Sequence, residues 1–171
     1  MTFLELAAER YSVRKFKNQA IEEEKLAKIV EAARLAPTAC NNQPQKVYVV
    51  KSEEKRAALG DVCQCTFDAP VILAIGYDME RTWKNKLMPG YQSGETDAAI
   101  VCTHMMFEAW ELGLGSCWVG WFNADQVEEA LGVPEGVTIC ALLPIGYPAE
   151  DAAPANLQTL SRNIEDMVVE L

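Results

Sequence analysis

The sequence predicts an α+β fold in a single domain. Stretches with strand character and stretches with helical periodicity follow one another without strict alternation, which disfavours a doubly wound parallel sheet. The chain has 171 residues, of which 50% are hydrophobic, enough for one domain with a buried core. No internal repeat or domain boundary is visible. We therefore expect residues 1–171 to form one unit, with 149–171 as a C-terminal tail or arm.

The first half of the chain opens with a helical signal. Thr2 and Glu5 have the spacing of a capping box, which predicts a short helix over 2–9. Leu26, Ile29 and Ala33 recur at helical spacing and predict an amphipathic helix. The predicted elements that follow the first helix are an extended strand 10–16, the amphipathic helix 22–35, a strand 46–51, a helix from Ser52 to Gly60 and a buried strand 71–76.

The second half contains one long apolar helix, predicted over 96–112 after a polar loop 78–95. The helix is apolar almost all round, so most of its sides should be buried, in the core or against a second subunit. Its polar stripe consists of Asp97, His104, Glu108 and Glu111, and we interpret it as a solvated or interfacial face. The remaining predicted elements are a strand 116–120, a helix 124–131 capped by Asn123, a strand 137–144, a linker 149–156 and a short strand or arm 157–171.

Charge restricts the partners. The net charge of −10 argues against nucleic acid and against an anionic membrane, because both bind basic surfaces. Within this acidic chain, Arg10, Arg14, Lys15 and Lys17 form a local basic cluster, which fits an anionic ligand. The N-terminus does not have the pattern of a signal peptide and the longest apolar stretch is too short to span a bilayer, so we expect a cytoplasmic protein.

The six cysteines are scattered, and the Cys63-Gln64-Cys65 motif has no second pair at zinc-ligand spacing. We therefore expect no metal site and mostly buried free thiols. Gly113-Leu114-Gly115 follows a helix and has no third glycine, so it favours helix termination over a dinucleotide-binding loop. His104 is the single histidine and hence a candidate general base, but a structural or surface role is favoured.

Two motifs carry most of the functional information. In an extended Arg10-Tyr11-Ser12-Val13-Arg14-Lys15-Phe16 segment, Arg10, Ser12 and Arg14 share one face. Two guanidinium forks around a hydroxyl match the oxygens of a phosphate. About one helix later, Ala36-Pro37-Thr38-Ala39-Cys40-Asn41-Asn42-Gln43-Pro44 offers hydroxyl and amide groups that suit the edge of a heterocycle. Together they suggest a nucleotide-like cofactor; a solvated basic strand is the simpler interpretation of the first motif alone.

In this order and spacing, the two motifs resemble the FMN-dependent nitroreductase family. Two later stretches extend the resemblance to most of the chain: Asp97-Ala98-Ala99-Ile100 through Glu111-Leu112-Gly113-Leu114-Gly115-Ser116-Cys117-Trp118-Val119-Gly120, and Leu142-Leu143-Pro144-Ile145-Gly146-Tyr147-Pro148. The resemblance implies a central, mostly antiparallel sheet flanked by helices, with flavin sites at a homodimer interface. It also implies a ping-pong reaction in which NADH or NADPH docks transiently on bound FMN, reduces it and leaves before the acceptor enters.

The resemblance also assigns roles to residues. Arg10, Ser12 and Arg162 would hold the phosphate, and Arg14 would lie near N1, where a reduced flavin carries negative charge. Backbone N–H groups of Gly120 or Trp121 would meet N5 or O4. The loop that contains Pro37, Thr38, Ala39, Asn41 and Gln43 would border the ring, commonly from the other subunit.

The chain departs from the family pattern at three positions. Thr38 replaces a serine and keeps the hydroxyl. Gln45 replaces a tryptophan, which removes a packing element beside the cofactor. Trp121 occupies a position that is often small, and it either narrows the pocket or packs against the core. Gln64 lies near a family position that can touch the flavin edge.

The predicted function is an FMN-dependent NAD(P)H oxidoreductase that reduces nitroaromatic, quinone or similar acceptors. The same fold could instead host dehalogenation or enoate reduction, since a fold does not fix a reaction. A flavin storage or sensing module is the third possibility, and the Gln45 and Trp121 departures would fit its blocked pocket. Loop 78–95, in which Trp83 either stacks on substrate or anchors the loop, should decide the reaction. The sequence does not name the acceptor or choose between NADH and NADPH.

Overall fold

The computed structural model describes residues 1–156 and 160–171. Within these residues the chain forms five α-helices and one four-stranded antiparallel sheet, which confirms the predicted α+β class. The helices are α1 (Phe3–Glu9), α2 (Glu23–Leu35), α3 (Glu53–Val62), α4 (Gly94–Glu111) and α5 (Ala124–Leu131). The strands are β1 (Gln45–Val50), β2 (Val71–Asp78), β3 (Gly115–Ser116) and β4 (Val137–Gly146).

The sheet has the order β1-β2-β4-β3, and its two central strands are buried on both faces. Alternate side chains of β2 belong to different hydrophobic clusters, because successive side chains of a strand point to opposite faces. Leu73 and Ile75 pack with α2 and α4, whereas Ile72 and Ala74 pack with residues of α3 and α5. The continuous apolar run of β2 is thus explained by helices on both sides of the sheet.

Helix boundaries follow local signals with few exceptions. The capping box of α1 is present, since Thr2 Oγ1 accepts from the Glu5 N–H at 3.3 Å and Glu5 Oε2 accepts from the Thr2 N–H at 2.7 Å. Helix α3 does not stop at Gly60 as predicted but continues to Val62. A glycine inside a helix lowers its stability but does not by itself end it. No helix in the described part of the chain is long and apolar enough to cross a membrane.

Two predicted strands are wrong in extent. Residues 10–16 are extended but pair only through isolated bridges, Ser12 with Ser116 and Phe16 with Pro148. The predicted strand 116–120 is reduced to β3, followed by a single bridge between Val119 and Leu142. Both segments pair with a neighbouring segment of the same chain for one or two residues and then diverge from it. The alternation of apolar and polar residues does not reveal where this pairing ends.

The C-terminal residues 160–171 contain one 3-10 turn, Ile164–Asp166, and no strand among those described. Part of the predicted strand or arm, 157–159, lies outside the described residues. The described arm exposes large apolar side chains, among them Leu160 at 73% and Val169 at 78%. Residues 149–152 do not form a free linker, because they return along the 10–16 segment: the Ala149 N–H donates to Lys15 O, and Tyr11 Oη donates to Ala152 O.

Candidate functional site

The segment Arg10 to Phe16 lies against the edge of the sheet at β3. The Val13 N–H donates to Ser116 O at 2.9 Å, and the Val13 side chain is fully buried. Gly115 makes this close approach possible, since a Cβ at that position would lie 2.5 Å from Val13 Cγ2. With Val13 fixed inward, the flanking Ser12 and Arg14 are directed away from it, as expected for an extended chain.

Arg10, Ser12 and Arg14 gather around the thiol of Cys117. Burial raises the pKa of Cys117, and the nearby Arg14 together with a hydrogen bond to Ser12 only partly offset this effect. Burial likewise lowers the pKa of the Arg10 guanidinium. Arg14 Nη1 donates to the Ser12 carbonyl oxygen at 3.4 Å, so the Arg14 side chain folds back over the segment. A partly desolvated guanidinium is stabilised by an anion, which favours the expected phosphate position.

The predicted basic cluster is smaller than its sequence suggests. Lys15 Nζ forms an ion pair with Asp151, and Lys17 Nζ lies 4.0 Å from Glu150. Lys15 also lowers the pKa of the Asp151 carboxyl by donating a hydrogen bond to it. These two lysines are therefore engaged with the returning tail, and the arginines carry the phosphate assignment.

The loop Thr38 to Gln43 has an unusual backbone. Cys40, Asn41 and Gln43 have φ angles of 51°, 54° and 50°, in the left-handed region that favours glycine. The turn is closed internally: the Asn41 N–H donates to Thr38 O at 2.9 Å, and the Gln43 N–H donates to Thr38 Oγ1 at 3.1 Å. The Thr38 hydroxyl thus holds the loop together, and its contact with a flavin stays a prediction.

The side chains of Asn41 and Gln43 are exposed and paired with each other, Gln43 Nε2 donating to Asn41 Oδ1 at 3.0 Å. Within the described residues, Asn41 Nδ2 and Gln43 Oε1 contact no protein partner. One donor and one acceptor are therefore presented side by side. This pair suits a heterocycle edge that carries both an N–H and a carbonyl.

A buried carboxylate holds this loop from outside. Asp97 is 2% exposed, and its Oδ1 accepts from the Ala39 N–H at 2.8 Å. Its Oδ2 accepts from Ser93 Oγ at 2.6 Å, and Ser93 Oγ accepts in turn from the Trp83 N–H at 3.1 Å. The prediction that Asp97 belongs to a solvated or interfacial stripe is wrong. The two buried side chains and the N–H groups of Ala39 and Trp83 satisfy one another here, which lowers the cost of burying the carboxylate.

The turn at Gly120 and Trp121 offers free backbone donors. Among the described residues, neither N–H finds a protein acceptor, and a Cβ added at Gly120 would meet nothing within 4 Å. The Trp121 side chain is 78% exposed, so it does not pack against the core. Beside it lies a cleft of about 430 Å³, and the Gln64 side chain lines the same cleft. The structure therefore brings Gln64 and Trp121 together.

Arg162 lies on the C-terminal arm and is exposed, with its Nη2 donating to Asp166 O at 2.9 Å. Its role at a phosphate stays a prediction.

The two motifs lie at opposite edges of the sheet. The Thr38 to Gln43 loop leads into β1 at one edge, and Ser12 bridges Ser116 of β3 at the other. Three strand spacings separate these edges by about 14 Å. Helix α4 gives an independent measure, because Asp97 beside the loop and Glu111 near β3 are about 20 Å apart along its axis. Within one subunit, the loop and the segment that contains Ser12 therefore lie at opposite edges of the sheet.

Groups for other kinds of catalysis are poorly placed. His104 is exposed, and its Nδ1 lies 2.9 Å from Ile100 O, in agreement with a surface role. Burial raises the pKa of Cys63, and it raises the pKa of Cys140 to about 11, so these thiols are not activated nucleophiles. In the described portions of the chain, no three His, Cys, Asp or Glu side chains are grouped to hold a metal ion.

The sequence analysis missed two features of the site, the Ser93–Asp97 pair and the left-handed loop residues, and it identified Gln45 without indicating that its side-chain oxygen is buried. The carboxylate could have been noticed as an acid in the first turn of an otherwise apolar helix. Gln45 Oε1 is the one buried side-chain oxygen or nitrogen among the described residues that has no hydrogen-bond partner. It directly follows the loop, where the family pattern has tryptophan.

Comparisons with known proteins agree with this geometry. A crystal structure of a nitroreductase family protein from Clostridium difficile 630 superposes with a TM-score of 0.92 at 34% identity, covering 99% of this chain and 98% of that one. An FMN-dependent nitroreductase from Clostridium difficile R20291 superposes with a TM-score of 0.76 at 28% identity, covering 94% and 99%. The FMN reductase [NAD(P)H] of Bacillus subtilis is 29% identical over 83% of this chain and 64% of its own length.

The family model described as the nitroreductase family matches residues 7–67 and 63–147, which include both motifs, α4 and the turn at Gly120. By this match, and by its likeness to the first solved structure, the chain belongs to the nitroreductase family.

Proposed function

We propose that this nitroreductase family member is an FMN-dependent NAD(P)H oxidoreductase that reduces nitroaromatic, quinone or similar acceptors by a ping-pong mechanism. Its class as an oxidoreductase follows from the family match and from relatives named as NAD(P)H-dependent enzymes. A similar solved structure is named as an FMN-dependent nitroreductase, and the donor set of this chain fits FMN. One observation carries the proposal. The donors that suit a phosphate, on the Arg10 to Arg14 segment, and the donors that suit a ring, on the Thr38 to Gln43 loop, lie near opposite ends of α4.

The residues present fit the parts of FMN one by one. A phosphate would be held by Arg10 and Ser12, with Arg162 joining them from the arm. The N–H groups of Gly120 and Trp121, which have no protein acceptor in the described part of the chain, would meet the ring at N5 or O4, where a preorganised donor stabilises developing charge. Bound there, FMN would supply the two-electron chemistry between NAD(P)H and the acceptor.

Arg14 has a different task in this proposal. Its guanidinium is exposed beside Ser12, on the same segment as the phosphate ligands. A fixed cation near the pyrimidine end of the ring stabilises the negative charge that accumulates there on reduction. Arg14 therefore tunes the reduction potential more than it tightens binding of the oxidised cofactor.

The site is proposed to need two subunits. The ring-side loop (residues 38–43) and the phosphate segment (residues 10–14) of one chain lie at opposite edges of the sheet, which favours a site that a second subunit completes. A two-fold dimer solves this by pairing the loop of each subunit with the phosphate segment of the other. Exposed apolar groups support such an interface: Phe3 is 64% and Leu4 79% exposed, and the Phe3 ring contacts Phe107 of α4 in a tilted arrangement with centroids 5.2 Å apart.

The segment between β2 and α4 is proposed to border the acceptor. Lys84 and Gln92 form an antiparallel bridge, and the Asn85 N–H donates to Tyr91 O at 3.1 Å, so residues 84–92 form a small hairpin. The ring of Trp83 contacts Tyr91 edge-on with centroids 6.5 Å apart, which indicates that Trp83 anchors this hairpin. Leu87 and Met88 are 96% and 59% exposed at its tip and are available to an apolar acceptor.

The exposure of Trp121 and the cleft beside it favour turnover over storage, because a blocked pocket would need that indole turned inward. The test is anaerobic addition of NADH or NADPH to the FMN-loaded protein while the blue absorption band of the flavin is followed. Bleaching, and recovery on adding a nitroaromatic or a quinone, is the expected result. A loaded protein that never bleaches would be a storage or sensing module, and a protein that takes up no FMN would refute the proposal.

A further inference from the structure

The Ser93–Asp97 pair lies between the two segments that the proposed function assigns to cofactor and acceptor. Asp97 is 2% and Ser93 4% exposed, and neither side chain reaches the surface of the site. One carboxylate oxygen is bonded to Ala39 in the ring-side loop. The other is bonded to Ser93 Oγ, which accepts from the Trp83 N–H at the base of the hairpin. A single polar chain therefore joins Ala39 to Trp83.

The ring-side loop depends on this outside contact. Ala39 opens the 3-10 turn Ala39–Asn41, and the Thr38 side chain that precedes it makes no capping hydrogen bond to the turn. The Asp97 carboxylate supplies that cap from another helix. Left-handed residues such as Cys40 and Asn41 persist only where the surrounding structure fixes them, so loss of the cap should loosen the loop.

The hairpin depends on the other half of the pair. Ser93 precedes α4, yet its hydroxyl makes no capping hydrogen bond to the helix. It is directed instead at Asp97 and at the Trp83 N–H. The Ser93 N–H also donates to Trp83 O at 3.0 Å, so the backbone pairing at this point survives without the hydroxyl. Removing the hydroxyl should therefore free the Trp83 N–H while leaving α4 and the Asp97–Ala39 bond in place.

We propose that Asp97 and Ser93 are positioning residues that set the ring-side loop and the acceptor-side hairpin at a fixed separation. Asp97 acts on the cofactor through Ala39, and Ser93 acts on the acceptor through Trp83. The inference rests on the proposed function, since it assigns the loop to FMN and the hairpin to the acceptor. It predicts that two residues in direct contact will have different kinetic effects, which a general stabilising role would not produce.

Asparagine is the informative replacement at position 97 because it has the same shape. A carboxylate accepts from both Ala39 and Ser93, whereas an amide has a single acceptor oxygen and turns a donor toward the other group. In Asp97→Asn the Ala39 N–H therefore loses its charged acceptor, whichever way the amide turns, while Ser93 Oγ can accept from the amide nitrogen in place of donating to the carboxylate. Ser93→Ala removes only the hydroxyl, and Ser93→Thr restores it. Glu95→Gln is the matched control, because Glu95 is an exposed acid in the same first turn of α4.

The first readout is amide hydrogen exchange of the apoprotein, followed by NMR at Ala39 and Trp83. Loss of a hydrogen bond to a charged group should speed exchange by about tenfold or more at the affected amide. We expect faster exchange at Trp83 alone in Ser93→Ala and at Ala39 in Asp97→Asn, because only the second substitution removes the carboxylate that accepts from the Ala39 N–H. Glu95→Gln should change neither amide.

The second readout separates cofactor from acceptor. Asp97→Asn should weaken FMN binding by about tenfold, as expected for loss of one hydrogen bond to a charged group. Ser93→Ala should leave FMN affinity unchanged and raise KM for a nitroaromatic acceptor several-fold with little change in kcat, and Ser93→Thr should restore KM. Equal effects of both substitutions on FMN and acceptor, or none on either, would overturn the inference. If the wild-type protein binds no FMN, the proposed function fails first, and the inference falls with it.

Discussion

The phosphate segment (residues 10–14) and the ring-side loop (residues 38–43) are held in place by different means. The segment is an ordinary extended chain, fixed by backbone pairing to Ser116 and by the buried Val13. The loop is a left-handed turn, fixed by side chains and by a carboxylate that follows it by more than fifty positions. Backbone pairing to a distant strand therefore fixes the segment, whereas the loop depends on a side chain that the assembled fold brings to it.

The largest expected effect tests whether the two regions act in different subunits. A subunit carrying Arg10→Ala is combined with one carrying Asn41→Ala and Gln43→Ala, each nearly inactive as a homodimer. In the mixed dimer one site contains all three substitutions and the other contains none. Activity per heterodimer should therefore recover to about half of wild type. Heterodimers that form but stay inactive would mean that each chain builds its flavin site alone.

The second prediction isolates the phosphate segment. Arg10→Ala should weaken FMN binding by roughly tenfold to a hundredfold, the loss expected for a charge-assisted bidentate contact of about 1.5–3 kcal/mol. Riboflavin lacks the phosphate, so its affinity should hardly change. Titration of both ligands by flavin fluorescence is the measurement.

Lys15→Ala is the control for Arg10, because Lys15 is a neighbouring cation that is already paired with Asp151. It should leave the affinity for FMN unchanged. Equal losses for FMN and riboflavin in Arg10→Ala would show that the arginine does not hold the phosphate.

The third prediction separates Arg14 from Arg10 within the same segment. Arg14→Gln should lower the two-electron potential of the bound flavin by about 30 mV, which corresponds to about 1.4 kcal/mol. Binding of the oxidised form should change less, because that form carries little negative charge near N1. Spectroelectrochemistry of the variant against wild type is the measurement, and an unchanged potential would place Arg14 on the phosphate beside Arg10.

The smallest expected effect concerns the residue that follows the loop. Gln45→Met removes a buried oxygen without a hydrogen-bond partner and keeps a similar volume, so the free energy of unfolding should rise by about 1 kcal/mol. Urea unfolding of the apoprotein measures it. Lys46→Met, at an exposed neighbouring position, should stay within about 0.5 kcal/mol of wild type. A drop in stability for Gln45→Met would show that the amide has a structural task.

The contrast between the two regions also explains what the sequence could predict. Short-range patterns predict the helices with a local cap, such as those capped by Thr2 and Asn123, and the structure contains them. They also predict β2, which is buried on both faces. Wrong boundaries occur where pairing is long-range: the 10–16 segment and the chain after Ser116 depend on partners far along the sequence. The family resemblance, which rests on ordered motifs, is confirmed by the match over both motifs.

At the site, the sequence predicted which residue types take part but not which of them contact one another. Arg10, Ser12 and Arg14 gather as the extended pattern predicts, around a Cys117 that the pattern does not indicate. Trp121 could be placed inward or outward from the sequence, and only the fold shows it exposed. Asp97 was misinterpreted because a helical wheel records which face a residue occupies but not what a neighbouring loop brings to that face.

The left-handed turn has a practical consequence for chemical labelling. All six cysteines fall within the described residues, and Cys40 is the one classed as exposed, while the others are buried or partly so. A small thiol reagent should therefore modify Cys40 first and leave the core thiols unmodified. Because Cys40 lies between Thr38 and Asn41, its labelling rate reports how accessible the ring-side loop is. Mass spectrometry measures this rate without any enzymatic turnover.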